Sequence, residues 1–284
     1  MQESIIIGIH GLLNKPPKDI LEDWWNEAIR EGLERNINNN ECNFNFELAY
    51  WADVRNPEPI PLVKLEERYE KAQGYGSLER FDPKLFDKVR SEAQKWGGKV
   101  IDKFKDLIDI PSVERLIPKK FDDLAEYYSD ETIRKKIRTK LSEKLEQHKD
   151  KKILLIAHSM GSIVAYDVLR EFDRSNDIKV EHFITIGSPL GLPFVSDNIR
   201  DEFGKETRTP ENVLKWTNMA DRGDKVSIDF NLKDEYKPNS KGVRVSDVHV
   251  VNGYKNHEGK ANNHKSYGYL RAPEFSEMIH TFCK

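Results

Sequence analysis

Cysteine is scarce in this chain of 284 residues: there are two, Cys42 and Cys283, near opposite ends, and no CxxC pair. A disulfide between them is compatible with the sequence but nothing requires it, and free thiols in a reducing cytoplasm are the simpler expectation. Long apolar runs are missing as well. None approaches the roughly 18 residues that a membrane-spanning helix needs. The opening Met-Gln-Glu-Ser has no basic stretch ahead of its short apolar run, which His10 interrupts, so it does not resemble a signal peptide. Net charge is −3, without the basic excess of a nucleic-acid binder. No HExxH, P-loop or dinucleotide-binding pattern stands out, so no metal and no organic cofactor is implied. Repeats and low-complexity segments are absent. These absences together lead us to expect a soluble cytoplasmic protein with no nucleic-acid partner.

What is present is length enough for one large α/β domain, with 37% apolar and 33% charged residues. Lys and Arg alternate with Glu and Asp along helical stretches, the pattern of a solvated face. Residues 151–169, KKILLIAHSMGSIVAYDVL, organise the rest. Residues 153–157 form a short aliphatic run, as in a strand buried on both faces of a parallel sheet. After His158-Ser159-Met160-Gly161 come Ile163, Val164, Ala165, Tyr166, Val168 and Leu169, an apolar set at helical spacing. Ser159 thus sits between a buried strand and a helix, with Ala157 two residues before it and Gly161 two after. That is the setting of a nucleophile elbow, in which small neighbours permit a sharp turn and the helix N-terminus stabilises developing negative charge.

On these residues the chain resembles the α/β-hydrolase superfamily, and AHSMG resembles the elbow of small bacterial lipases and esterases, with alanine at position 157 where most members carry glycine. The resemblance extends to four further places. SIIIGI at Ser4–Ile9 is followed by His10-Gly11-Leu12-Leu13, similar to the strand and loop that supply one oxyanion-hole amide. This implies the Leu12 N–H as one donor and the Met160 N–H as the other, with His10 and Gly11 supporting the loop. Val180–Ile186 reads as a strand ending in Gly187-Ser188-Pro189, a turn also found in lipase-like members. A strand over 213–219 leads to Asp221 and Asp224. Asp224-Lys225-Val226 resembles the Asp-x-Val segment of the triad acid, so Asp224 is preferred and Asp221 kept as the alternative. Among late histidines, His249 lies inside a predicted strand over 243–251 and reads as packed. His264, in a His-x-x-Tyr segment between the last strand and last helix, resembles the catalytic base, with His257 as fallback. His158, beside the nucleophile, faces away from a base's position and supports the elbow.

The expected fold is therefore an α/β-hydrolase: a mostly parallel sheet of about six strands flanked by helices, with right-handed crossovers. Helices are predicted over 19–36, 132–147 and 273–282, and a strand among the alternating residues 44–52. A three-proline connector at 56–61 then opens about seventy residues beyond what the fold requires. Their apolar spacing is helical, at Leu62, Leu65, Tyr69 and Ala72, again at Leu85, Val89 and Ala93, and from Val100 to Ile108. Residues 1–60 and 130–284 are read as the core and 61–129 as an inserted helical cap, with Gly97-Gly98 a hinge. The resemblance implies a serine hydrolase acting on a small-molecule or lipid carboxylic ester through Ser159, Asp224 and His264. Three other readings stay open: a thioesterase, amidase or acyltransferase with the same triad, a partner-binding module without catalysis, and a lipase working at a membrane surface. The sequence admits membrane contact without requiring it and leaves the oligomeric state open.

Overall fold

The computed structural model describes residues 3–37, 42–74, 77–82, 124–174, 177–204, 206–226 and 231–284. Six strands, β1 (Ser4–Ile9), β2 (Phe46–Ala49), β3 (Lys152–His158), β4 (Val180–Ile186), β5 (Trp216–Asp221) and β6 (Val245–Val250), pair in the order β2-β1-β3-β4-β5-β6. Every pairing is parallel. The central strands read as unbroken aliphatic runs because both faces of the sheet are covered. Alternate residues serve opposite faces: Ile5, Ile7, Ile9, Ile153, Leu155 and Ala157 join one core, while Ile6, Leu154 and Ile156 join the other.

Helix α1 (Lys18–Ile37) buries Leu21, Trp25, Ala28, Ile29 and Leu33 at helical spacing against the second core. It shares that face with α5 (Ser266–Leu270) and α6 (Pro273–Phe282). The other face carries α2 (Glu131–Gln147), α3 (Met160–Glu171) and α4 (Pro193–Phe203). Helix α2 starts where Asp130 accepts the Ile133 N–H at 3.0 Å, a side-chain cap. In α3 every residue from Met160 to Arg170 is buried, so it lies sandwiched between the sheet and the outer helices. Each large aliphatic side chain buried there contributes about 1.5–3 kcal/mol. No helix among the described residues is long and apolar enough to cross a membrane.

Two departures from the sequence reading matter. Of the predicted cap, residues 83–123, which include the hinge candidate Gly97-Gly98, lie outside the described residues. The described part corrects the expectation of a helix through Leu62, Leu65, Tyr69 and Ala72. After a short 3₁₀ turn at Leu62–Lys64 the described residues 65–74 and 77–82 are not helical. Its polar backbone groups go to the core instead. Glu31 takes the Ala72 N–H at 2.8 Å, Arg35 reaches the Ala72 carbonyl at 2.8 Å, and Arg271 the Glu70 carbonyl at 2.7 Å. The Tyr254 hydroxyl donates to the Arg68 carbonyl at 2.6 Å. Glu31 is buried and also accepts from Tyr69 and Arg271, so this strap is fixed by a fully engaged carboxylate. Where the chain becomes described again, Tyr127 donates to Asp167 at 2.7 Å, and buried Arg138 bonds both Asp167 and Glu202.

The second departure is at the cysteines. Cys42 and Cys283 form a disulfide that closes 241 residues of chain and ties the segment before β2 to the end of α6. A cross-link over so long a loop restricts the unfolded chain and adds about 2–4 kcal/mol. Replacing both cysteines by serine is expected to lower the stability measured by denaturant unfolding by that amount; an unchanged midpoint would show that the bond adds nothing.

Candidate active site

Ser159 sits between the end of β3 and the first turn of α3, with φ 54° and ψ −132°. A non-glycine residue at positive φ is costly, and the surroundings hold it there. Its N–H is bonded to the Ile186 carbonyl of β4 at 3.1 Å. Its carbonyl accepts from the Ser162 hydroxyl at 2.6 Å and the Ser162 N–H at 2.9 Å. Because Ser162 spends its proton there, the Ser188 hydroxyl, 2.7 Å away, donates to Ser162 and accepts the Leu190 N–H. The Gly-Ser-Pro turn therefore braces the elbow from the adjacent strand. The small residues are required by contact. A Cβ at Gly161 would fall 2.6 Å from the His10 carbonyl oxygen, and one at Gly11 2.6 Å from the Ser159 Cβ. Ala157 is wholly buried in the sheet directly before the turn.

His264 lies in the loop between β6 and α5. Its Nε2 is 2.9 Å from Ser159 Oγ, and its Nδ1 is 2.8 and 2.9 Å from the two oxygens of Asp224. A carboxylate only accepts, so Nδ1 carries the proton and Nε2 presents a lone pair to the serine hydroxyl. The Asp224 side chain has no exposed surface. Burial pushes its carboxyl up, but the adjacent His264, the Tyr269 hydroxyl and the Val226 N–H outweigh that and hold it below the usual carboxylate range. Gly187, at φ 54°, leaves the room this pair needs, since a Cβ there would be 2.8 Å from an Asp224 oxygen.

The alternatives from the sequence occupy other positions. Asp221 ends β5 and binds neither histidine. Its Oδ1 accepts from the Gly223 N–H and Asn263, and its Oδ2 from the Asn252 N–H at 2.6 Å. It thereby ties together the acid loop, the chain after β6 and the histidine loop. His257 is exposed, beside Glu258, and lines a cavity of about 470 Å³ behind the strap rather than the surroundings of Ser159. His249 lies on β6 against Phe81.

His10 is buried and stacks on Trp51. Its Nε2 accepts the Trp51 N–H and its Nδ1–H donates to the Gly11 carbonyl at 2.8 Å. Burial, then the nearby Lys15, lower its pKa to about 3, so it is a neutral strut for the loop. In that loop Leu13 has φ 72°, and the Lys15 ammonium donates to the Leu12 carbonyl. Met160 is the first residue of α3, so its N–H is one of the amides that a helix leaves without an internal partner. Neither it nor the Leu12 N–H meets a protein acceptor among the described residues. His158 donates from Nε2 to the His264 carbonyl at 2.8 Å, with its ring 4.8 Å from that of His264. Burial, then the neighbouring His264, push its pKa well down.

Sequence reasoning missed Tyr269, Ser162 and the structural use of Asp221. Only the asparagines at 262 and 263 hinted at loop chemistry: Asn262 accepts the His264 N–H at 2.9 Å, an Asx turn that sets the histidine's backbone. No cluster of His, Cys, Asp and Glu able to hold a metal occurs among the described residues.

A six-stranded parallel sheet between helical layers, with a serine elbow at the C-terminal end of its third strand, is the α/β-hydrolase fold. Residues 114–193, which hold the elbow and the Gly-Ser-Pro turn, match the lecithin:cholesterol acyltransferase family. The match covers less than a third of the chain. A search of curated proteins finds no significant match.

Proposed function

We propose that the protein is a serine enzyme that cleaves the carboxylic ester of a lipid or small molecule through an acyl-enzyme. The continuous chain of hydrogen bonds from Ser159 Oγ through His264 to Asp224 is the observation that carries this reading. As His264 Nε2 takes the hydroxyl proton, Ser159 Oγ attacks the carbonyl carbon. Asp224 keeps the proton on Nδ1 and stabilises the imidazolium that forms. The amides of Met160 and Leu12 bind the oxyanion, aided by the N-terminus of α3. The imidazolium then protonates the leaving alcohol. Water, deprotonated by His264, attacks the acyl-enzyme, and the acid leaves as Ser159 recovers its proton.

A second reading replaces that water by an acceptor alcohol, which makes the protein a lipid acyltransferase. The similarity of residues 114–193 to lecithin:cholesterol acyltransferase favours it. Esters of graded chain length, supplied with and without an acceptor alcohol, separate the two readings. Free acid as the main product supports the hydrolase and a transferred acyl ester supports the transferase. Turnover of wild type that persists undiminished in Ser159→Ala would end both. The division into core (1–60 and 130–284) and insertion (61–129) belongs to the same proposal, and limited proteolysis that cuts first within 61–129 would support it. A cytoplasmic location is a further proposal, and the disulfide weighs against it. Thiol alkylation before lysis tests it: two alkylated cysteines would agree, and a bonded pair would place the protein in an oxidising compartment.

A further inference from the structure

Tyr269 lies on α5 and is fully buried. Its hydroxyl is 2.7 Å from Asp224 Oδ2 and 3.0 Å from the Asp221 N–H. An amide N–H can only donate and a carboxylate only accept, so the phenol oxygen accepts the Asp221 N–H and its own O–H donates to Asp224. Both ends of this relay are fixed: Asp221 by the β5–β6 pairing and by its grip on Gly223, Asn252 and Asn263, Tyr269 by its place in α5. We infer that Tyr269 is a positioning residue for the Asp224–His264 pair, a fourth member that sets both the orientation of the carboxylate and how strongly it supports the proton on His264. The inference rests on the proposed serine chemistry.

The physical basis is the sharing of one carboxylate oxygen, Asp224 Oδ2, between two donors. Oδ2 receives the Tyr269 O–H and the His264 Nδ1–H, while Oδ1 receives the Val226 N–H and also faces Nδ1. A phenol donating to Oδ2 draws negative charge toward itself and leaves less to stabilise the imidazolium. Removing the hydroxyl concentrates charge on the face toward His264 and makes the imidazole easier to protonate, while freeing the carboxylate to rotate. Few other charged groups bear on the histidine. His158 is held neutral by burial, and Asp221 stands behind the Tyr269 hydroxyl. Lys15 and Lys265 lie close enough to act on His158, and Lys265 is paired with Glu67. None of these changes when only the Tyr269 oxygen is removed.

The test is kcat/KM for a p-nitrophenyl ester from pH 5 to 9, with the rate of fluorophosphonate labelling of Ser159 alongside, in wild type and Tyr269→Phe. The inference expects kcat to fall about tenfold near neutral pH with KM little changed, the size of one lost hydrogen bond to a charged group. It also expects the acidic limb of the profile to move up by about one pH unit. Should Tyr269→Phe fold poorly, 3,5-difluorotyrosine at position 269 keeps the packing and donates more strongly, so the limb should move down. A limb that stays in place in the folded variant, whatever happens to the rate, would overturn the inference and leave Tyr269 as packing. Wild type that neither labels nor turns over ester would instead overturn the proposed function, and this inference with it.

Discussion

Asp224→Asn is expected to lower kcat about 10⁴-fold. The reason lies in the proton on His264. An asparagine amide turned toward Nδ1 donates rather than accepts, so the imidazole proton moves to Nε2, the nitrogen 2.9 Å from Ser159 Oγ. A protonated Nε2 in a neutral ring cannot take the serine proton. Asp221→Asn should leave the chemistry largely intact and act on stability, because Asp221 is not bonded to His264. Its two oxygens accept from the Gly223 N–H, the Asn252 N–H and Asn263. An asparagine there confronts one of these donors with its own N–H₂ group, at a cost of about 1–3 kcal/mol. Initial rates and denaturant midpoints on both variants decide the matter. A larger rate loss in Asp221→Asn would overturn the choice of Asp224 as the acid.

The second large effect is expected at the base. His264→Ala removes the only histidine hydrogen-bonded to Ser159 Oγ among the described residues, and activity should fall by about 10⁴-fold or more. His257→Ala should stay within about twofold of wild type, because an exposed side chain beside Glu258 makes no contact with the serine. Activity that survives the first change and disappears in the second would move the base to His257.

The parallel sheet was legible because its strands are buried on both faces and so are spelled as uninterrupted aliphatic runs, as at Ser4–Ile9 and Lys152–His158. The start of β5 was read too early. Val213 sits instead in a turn, its N–H on the Pro210 carbonyl and its own carbonyl held by Asn239, and it touches the sheet through a single bridge to Val180. The strap was misread for a related reason. Leu62, Leu65, Tyr69 and Ala72 have helical spacing, yet the amide and carbonyl groups a helix would pair internally are claimed by Glu31, Arg35, Arg271 and Tyr254. Those partners are tens to hundreds of residues away, and no local window contains them.

The same separation limits what could be read of the site. Ser159 announced itself through its strand and helix, and His264 and Asp224 through a resemblance, but the positions of all three relative to one another are set by contacts 40 and 105 residues apart. Tyr269 had no signal at all: it is one of several tyrosines near the end of the chain. What singles it out is the meeting of α5 with the end of β5. Asp221 carried the opposite ambiguity. A turn aspartate and a catalytic one look alike in sequence, and only the donors around each carboxylate tell them apart.

The proposed chemistry stands or falls with Ser159 as an activated nucleophile. The most direct measurement is labelling of the folded protein with a fluorophosphonate, wild type beside Ser159→Ala, with mass spectrometry of the modified peptide. Covalent mass is expected on Ser159 in wild type and none in the variant. Intact folded protein that takes up no label, or labels elsewhere and equally in both, would contradict it.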